Sequence, residues 1–283
     1  MDKSDFGYSS PAARLLTIGD PLEVRRDPGW RGGPDWPDYP AEYGLGPEHV
    51  PDLIRMATDE ALNQARSDTR EVWAPIHARR ALGQMRAVEA VEPLLGVFHL
   101  VDDEDDDYVG EELPQVMGMI GPEAIPALAK YLASRNNGLW ARVAASGGLE
   151  KIGASHPDAR RACVAALTAT LENYANNDEL LNAFIISRLE ALDAAEAAPL
   201  VEQAYKADRV DESILGDWED FQVGVGLLEE QLSDPDNDLN TTLFPTGNEP
   251  YPQKTLSKKE EKKEKNKRKQ AKESRKKNRK KKK

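Results

Sequence analysis

Residues 113–132 read LPQVMGMIGPEAIPALAKYL and contain two short amphipathic segments joined by a break. In both segments apolar side chains recur every three or four residues, which is the period of one helix face. The two sets are Leu113, Val116, Met117 and Ile120, then Ile125, Leu128, Ala129 and Leu132. Gly121-Pro122 separates them, because proline starts a helix readily but cannot continue one. The stretch predicts a helical hairpin that must pack between similar hairpins to bury its apolar faces.

Related helix pairs recur along the chain. Four first helices end in similar tetrapeptides, which are LGQM (82–85), MGMI (117–120), LEKI (149–152) and LEAL (189–192). Their last residues lie 35, 32 and 40 positions apart, a period typical of an α-solenoid of antiparallel helices. Four pairs and a leading helix exceed the three repeats that such a fold needs. We therefore predict an all-α fold, an α-solenoid of antiparallel helix pairs.

The repeats also carry a family resemblance. ALGQMRAVEAVEPLL (81–95) and VMGMIGPEAIPALAKYL (116–132) resemble HEAT-like repeats of the phycobilisome-lyase type, and the similarity extends over about 70–206. WAPIHARRALGQ (73–84) and DRVDESILGDWEDFQ (208–222) resemble segments of a group of uncharacterised bacterial HEAT-repeat proteins. The resemblance implies a right-handed α-solenoid of HEAT-like helix pairs. It implies no activity, and no bilin-specific motif accompanies it.

The N-terminal residues 1–46 differ from the repeats because they are rich in proline, glycine and aromatic residues. So many helix breakers predict an irregular arm, mostly flexible over 1–27. The first repeat of a solenoid needs its open apolar face covered, so we expect the arm to act partly as a cap. Trp30 and Trp36 are the expected anchors.

The remaining chain divides into three parts. The predicted solenoid spans 47–229, and its last part, 208–229, carries an apolar strip that predicts a C-terminal cap. Residues 230–257 hold few apolar groups and predict a flexible linker. Residues 258–283 predict a disordered tail rich in lysine and arginine.

Charge is distributed unevenly along the chain. The tail, 258–283, holds 17 Lys or Arg and 4 Glu, which leaves 21 basic and 46 acidic residues in 1–257. A body of net charge −25 repels phosphate and argues against the DNA-binding activity of HEAT-like DNA glycosylases. The tail, of net charge +13 and without aromatic residues, predicts contact with RNA or another polyanion through backbone phosphates. Its densest cations are Lys276, Lys277, Arg279 and Lys280.

Four other roles for the tail stay open at this point: contact with an anionic membrane surface, a run like a nuclear-import signal, folding onto the acidic body, and simple solubilisation. The near absence of apolar residues argues against membrane insertion. No segment of the chain has the apolar length of a signal peptide or a membrane span. A single cysteine, Cys163, points to a reducing compartment. Cytoplasmic residence is therefore expected.

The sequence predicts no catalytic, cofactor or metal site. The four histidines lack a second His or Cys at metal-ligand spacing, and the chain has no phosphate-binding glycine loop. It also lacks the His-Glu dipeptides of HEAT-type deoxyhypusine hydroxylases. His77 is expected to bond a backbone or carboxylate group between helices. Arg79, Arg80 and Arg142 are expected to pair with carboxylates between neighbouring repeats.

An acidic run is the predicted interaction surface of the body. It comprises Asp102, Asp103, Glu104, Asp105, Asp106 and Asp107, with Glu111 and Glu112 close behind. Because a calcium loop alternates its ligands and needs a turn glycine, we expect a solvated acidic loop instead. The leading hypothesis is a non-catalytic scaffold that binds a basic segment of a protein partner in an acid-bordered groove. The alternative is a lyase-like or chaperone-like module for a cofactor-bearing protein, with Trp73, His77 and Trp140 near a groove.

Overall fold

The computed structural model describes residues 6–24, 35–66 and 68–229 of the chain. Within these ranges the regular structure consists of α-helices and short 3-10 helices, and no strand is present. The predicted all-α fold is therefore confirmed. Among the same residues, none of the helices has the length and apolar character that crossing a membrane requires.

The α-helices, named in chain order, have the following bounds. They are α1 (Tyr39–Tyr43), α2 (Val50–Ala57), α3 (Glu60–Asn63), α4 (Ala74–Gln84), α5 (Val91–Leu95), α6 (Leu100–Asp103), α7 (Asp107–Ile120), α8 (Ile125–Ala133), α9 (Leu139–Ser155), α10 (Arg160–Leu171), α11 (Glu179–Ala191), α12 (Ala198–Lys206) and α13 (Trp218–Gly224). Short 3-10 helices cover Ala12–Thr17, Pro47–His49, Glu71–Trp73, Val88–Ala90, Pro122–Ala124, Pro157–Ala159 and Ala195–Ala197.

The helices pack as two adjoining rows. One row contains α4, α7, α9 and α11, each packed against the next, and the other contains α5, α8, α10 and α12 in the same order. Helix α2 precedes both rows and packs against α4 and α5. Every helix of the second row is entered through a 3-10 turn whose third residue is a buried alanine, namely Ala90, Ala124, Ala159 and Ala197. The right-handed superhelix stays a prediction.

The hairpin predicted at 113–132 is present, with a longer first helix than expected. Helix α7 begins at Asp107 and contains Pro114 in its interior. Gly147 of α9 lies next to the Pro114 ring, where an added Cβ would be 3.4 Å from the Pro114 Cβ, an ordinary contact. Helix α7 ends at Ile120, and Gly121 follows with φ 105° and ψ −158°, a conformation that favours glycine. The Gly121-Pro122 break is therefore confirmed.

The second position of the aligned tetrapeptides faces the next helix in the first three repeats. A side chain at Gly83 would meet Val116 of α7, and a side chain at Gly118 would meet Lys151 of α9. The equivalent Glu150 accepts a hydrogen bond from Arg188 Nη1 of α11 at 2.7 Å. The first two junctions therefore use glycine for close approach, whereas the third uses an ion pair.

The N-terminal arm is more ordered than its composition predicts. Within 6–24, Ala12 and Leu15 are fully buried, and their 3-10 helix packs against α4. The guanidinium of Arg55 lies 3.7 Å from the centre of the Tyr8 ring, which anchors the start of this segment. The expectation of a mostly flexible 1–27 is therefore wrong for 6–24, because these contacts involve helices too distant in sequence to be read from local composition. The expected anchor Trp30 lies outside the described residues.

Trp36 and the short helix α1 continue the arm over the same end of the stack. Trp36 is only 6% exposed, and the Arg80 guanidinium lies 5.0 Å from the centre of its ring. Tyr39 of α1 is fully buried against α4. At the opposite end, α13 packs against α11 and α12 and buries Phe221 completely. Both ends of the helix rows are thus covered by non-repeat segments.

Candidate functional site

A groove of about 670 Å³ opens between α2–α3 on one side and α5–α6 on the other. Part of its lining is apolar and comes from Pro93, Val97 and Leu100. The rest is polar and includes the carboxylate-bearing residues Glu60, Asp103, Glu104 and Asp106. Among the described residues that line it there is no Phe, Tyr or Trp. We call this feature the acidic groove.

Helix termini position the acidic side chains of the groove. Asp59 accepts a hydrogen bond from Leu62 N at 3.2 Å and so starts α3, which places Glu60 in its exposed first turn. Asp106 likewise accepts from Val109 N at 3.0 Å and starts α7. Between α6 and α7 the chain reverses through Asp105, whose φ of 56° is left-handed. Acidic residues are favourable at these helix starts because the backbone N–H groups there lack partners.

A buried arginine lies close behind the groove. Arg79 donates from Nε to Ala57 O at 3.1 Å and from Nη2 to Asn63 Oδ1 at 2.8 Å, and it bonds no carboxylate of the described residues. Burial lowers its pKa to about 10, while nearby Asp106 acts in the opposite direction. The positive charge of Arg79 offsets part of the Asp106 charge. Glu60, Asp103 and Glu104 are the other carboxylate-bearing residues of the groove lining.

The acidic run is not the single solvated loop that we expected. Asp102 and Asp103 belong to α6, and Asp107 is the first residue of α7. The carboxylate of Asp102 accepts hydrogen bonds from Trp140 N at 3.0 Å and Ala141 N at 2.9 Å, the first turn of α9. Asp102 therefore caps a distant helix instead of facing a ligand. Asp103, Glu104, Asp105, Asp107 and Glu111 remain exposed.

Asp102 takes the place of a local cap. The residue that precedes α9 is Gly138, which has no side chain to bond the helix N–H groups. A Cβ at Gly138 would overlap the Asp102 carboxylate. The glycine is thus required for α6 to supply the cap of α9.

Glu112 belongs to a buried polar network, away from the acidic groove. Its two carboxylate oxygens accept from Arg80 at 2.6 and 2.8 Å, which joins α7 to α4. Burial opposes the charge of Arg80, but this ion pair outweighs it and raises the pKa of the guanidinium. Arg80 also donates to Tyr39 Oη at 3.4 Å. The expected carboxylate partner of Arg80 is therefore present.

His77 connects the same network to the N-terminal arm. Its Nε2–H donates to Gly19 O at 2.8 Å, and its Nδ1 accepts from the Tyr39 hydroxyl at 2.6 Å. Gly19 O can only accept, so the neutral ring carries its proton on Nε2. Burial, with the nearby Arg80 charge, lowers the pKa of His77 to about 4. The network holds both segments of the arm against α4.

Arg142, like Arg79, bonds a backbone carbonyl instead of the expected carboxylate. Its Nε donates to Leu132 O at 2.7 Å, at the end of α8. Arg79 bonds the equivalent carbonyl at the end of α2. Final helix carbonyls lack intrahelical partners and carry partial negative charge, so an arginine satisfies them without a carboxylate. The predicted carboxylate pairing is wrong for these two arginines.

Trp73, His77 and Trp140 contact three separate partners. The ring of Trp73 packs edge-on against Tyr108 of α7 at 5.9 Å between centroids. Trp140 is 6% exposed and packs edge-on against Phe184 of α11, also at 5.9 Å. His77 is fully buried against the arm. None of the three lines the acidic groove.

The four histidines bond backbone groups, and the cysteine is buried in a helix. Each histidine bonds a backbone group, in the pairs His49–Gly46, His77–Gly19, His99–Gly96 and His156–Gly118. Cys163 is buried in α10, and burial raises its thiol pKa to about 11. In the part of the chain that the structure describes, no three His, Cys, Asp or Glu side chains are arranged to hold a metal ion.

The remaining predicted residues lie outside the described ranges. These are the tail cations Lys276, Lys277, Arg279 and Lys280, together with the predicted linker, 230–257.

Glu60 is a groove residue that the sequence did not predict. It lies 43 positions before Asp103, in a four-residue helix with no repeat pattern. The available signal was the Asp59-Glu60 pair, which is typical of a helix start and of an exposed acidic turn.

The fold defines the class of the protein: an all-α body of packed helices with an acidic groove between α3 and α5–α6. Comparison of the chain with protein-family models, with curated proteins and with solved structures finds no match. Membership of the HEAT-like family therefore stays a proposal.

Proposed function

We propose that this protein is a non-catalytic, HEAT-like helical scaffold. In this proposal the acidic groove binds a basic segment of a protein partner, and residues 258–283 contact RNA or another polyanion. The observation that carries the first part is the groove itself, whose lining combines four carboxylate-bearing residues with the apolar Pro93, Val97 and Leu100.

The residues that line the groove determine which kind of side chain can bind there. Lysine and arginine combine a cationic head with an apolar stem, so the stem can pack against Val97 and Leu100 while the head meets the carboxylates. A volume of about 670 Å³ suits one or two such side chains and is within the range of ligand pockets. Without Phe, Tyr or Trp in its described lining, the groove offers no aromatic cage for a methylated lysine. An unmodified basic segment is the best match.

A pair of matched variants tests this proposal. The groove variant removes three carboxylates, through Glu60→Gln, Asp103→Asn and Glu104→Gln. The control variant makes the same change in charge at exposed positions next to α8 and α10, through Glu123→Gln, Asp158→Asn and Glu172→Gln. Asp106 stays unchanged in both because it starts α7.

The readout is the fluorescence anisotropy of labelled Lys/Arg-rich peptides. Exposed ion pairs contribute about 0.5 kcal/mol each, so the groove variant should bind about tenfold more weakly. The control variant should retain nearly full affinity. Equal loss of peptide affinity in both variants would mean that only the overall charge of the protein matters, and it would contradict a groove site.

The second part of the proposal rests on the composition of the tail. Seventeen cations among residues 258–283 would release counterions from a polyanion, so RNA affinity should fall steeply as salt increases. A chain ending at Ser257 should lose this affinity in a filter-binding assay. Equal RNA binding by the full and shortened chains would rule out the tail as the contact.

The lyase-like or chaperone-like alternative requires a pocket shared by Trp73, His77 and Trp140. The contacts described for these residues lead to different partners, in the arm, in α7 and in α11. No observation favours this alternative, so we do not adopt it.

A further inference from the structure

We propose that the acidic groove is also the docking site of the protein's own tail, 258–283, which makes the tail a tethered competitor of the partner's basic segment. This inference rests on the groove of the proposed function and adds its regulation.

The tail matches the acidic groove in both charge and side-chain type. The tail carries a net charge of +13, and Ala271 is its only apolar residue. It can therefore present little other than lysine and arginine stems to Val97 and Leu100 in the groove lining. The exposed Asp105, Asp107 and Glu111 extend the negative surface beyond the groove, along a segment longer than one side chain.

The length of the intervening chain permits the contact. The described residues end at Glu229, and 28 residues separate it from Lys258. A segment of this length spans at most roughly 95 Å. The path from α4 through α7, α9 and α11 to α13 crosses four helix contacts of 8–10 Å each, which gives roughly 40 Å. The tail can therefore reach the groove from the opposite end.

Tethering makes weak ion pairs sufficient. Each exposed pair contributes less than about 1 kcal/mol, so the same peptide added in trans would bind weakly. A tether that can span the sites supplies an effective concentration of about a millimolar, and the closed form is then populated. A polyanion that binds the tail would release the groove, and by reciprocity a partner in the groove would free the tail.

Carbodiimide cross-linking of the full chain tests the inference directly. The reagent joins a carboxylate to a lysine amine only when the two are in contact, and mass spectrometry identifies the joined residues. At low ionic strength we expect tail lysines to link to Glu60, Asp103 and Glu104 several-fold more often than to the control positions Glu123, Asp158 and Glu172. High salt should abolish the difference. Mixing isotopically labelled and unlabelled chains should show that the links form within one molecule.

Two outcomes would overturn the inference. Links spread evenly over groove and control carboxylates would mean that the tail has no docking site, and links between molecules would mean that it does not fold back. The peptide assay on a chain ending at Ser257 separates this failure from failure of the proposed function. Because every contact described lies within 6–229, that shortened chain keeps them all. Measurable peptide binding of equal affinity in the full and shortened chains would overturn the tail inference alone, because a docked tail must weaken peptide binding by the full chain.

Discussion

The buried His77 gives the junction between the arm and α4 a dependence on pH. Its neutral ring donates to Gly19 O and accepts from Tyr39, and the Arg80 charge lies close by. A proton added at Nδ1 would remove the acceptor and place two positive charges in a buried site. Above its ordinary pKa of about 6.5 the ring is neutral in both the folded and the unfolded chain, so it adds no pH dependence there.

We expect acidification to destabilise the protein through this residue. The folded pKa of about 4 lies below the ordinary value of 6.5, so between these values only the unfolded chain takes up the proton. The free energy of unfolding should therefore fall by about 3 kcal/mol from pH 6.5 to pH 4, owing to His77. Urea titrations of the native protein and of His77→Gln measure this, since the variant should lack that part of the decrease. Parallel pH profiles for the two proteins would contradict the assignment.

Asp102 has a structural role although it belongs to the acidic run. Its carboxylate bonds the first turn of α9, where the preceding Gly138 offers no side chain. Removing a helix cap costs about 1–2 kcal/mol. Asp102→Ala should therefore lower the free energy of unfolding by that amount, whereas Glu104→Ala, two residues later and exposed, should change it by less than about 0.5 kcal/mol. Equal effects in urea unfolding would mean that the Asp102 bonds contribute nothing.

Among the elements, the contact between α7 and α9 depends on small residues at the crossing. An added Cβ at Gly118 would lie 2.7 Å from Lys151 Cβ and 3.3 Å from its backbone carbon, so the two helices would have to separate. Gly110 is also in α7, but a Cβ there would lie 3.4 Å from a Val101 methyl, which is an ordinary contact.

This difference predicts that the same glycine-to-alanine substitution changes the free energy of unfolding in opposite directions at two positions of one helix. Gly118→Ala should lower the free energy of unfolding by about 1–3 kcal/mol because of overpacking. Gly110→Ala should raise it by up to about 1 kcal/mol, since alanine favours a helix more than glycine does. Denaturant midpoints of the two variants provide the comparison. A stabilising Gly118→Ala would show that α7 and α9 are not in close contact.

Elements with a clear apolar period could be predicted from the sequence, and others could not. The hairpin at 113–132 and its Gly121-Pro122 break follow from local signals, and both are present. The order of the arm depends on contacts such as Arg55 with Tyr8, 47 residues apart, which no local pattern reports. The partners of Arg79 and Arg142 are carbonyls at helix ends, and only the packing of helices brings them within reach.

At the scale of the whole molecule, the division into an acidic body and a basic tail was readable from composition, whereas the groove was not. The groove lies between α3 and α5–α6, and its acidic residues come from segments about forty positions apart. The acidic run indicated the right region. Folding then assigned Asp102 and Asp106 to helix starts and Glu112 to an ion pair, and brought Glu60 to the groove.

The central claim is that the acidic groove binds a basic segment, and a footprint of a bound peptide tests it most directly. Amide hydrogen exchange of the chain ending at Ser257 would be compared with and without a saturating Lys/Arg-rich peptide. The claim predicts slower exchange confined to residues 58–64 and 93–106, which surround the groove. Protection on α11–α13, or a peptide that binds without protecting either groove segment, would contradict it.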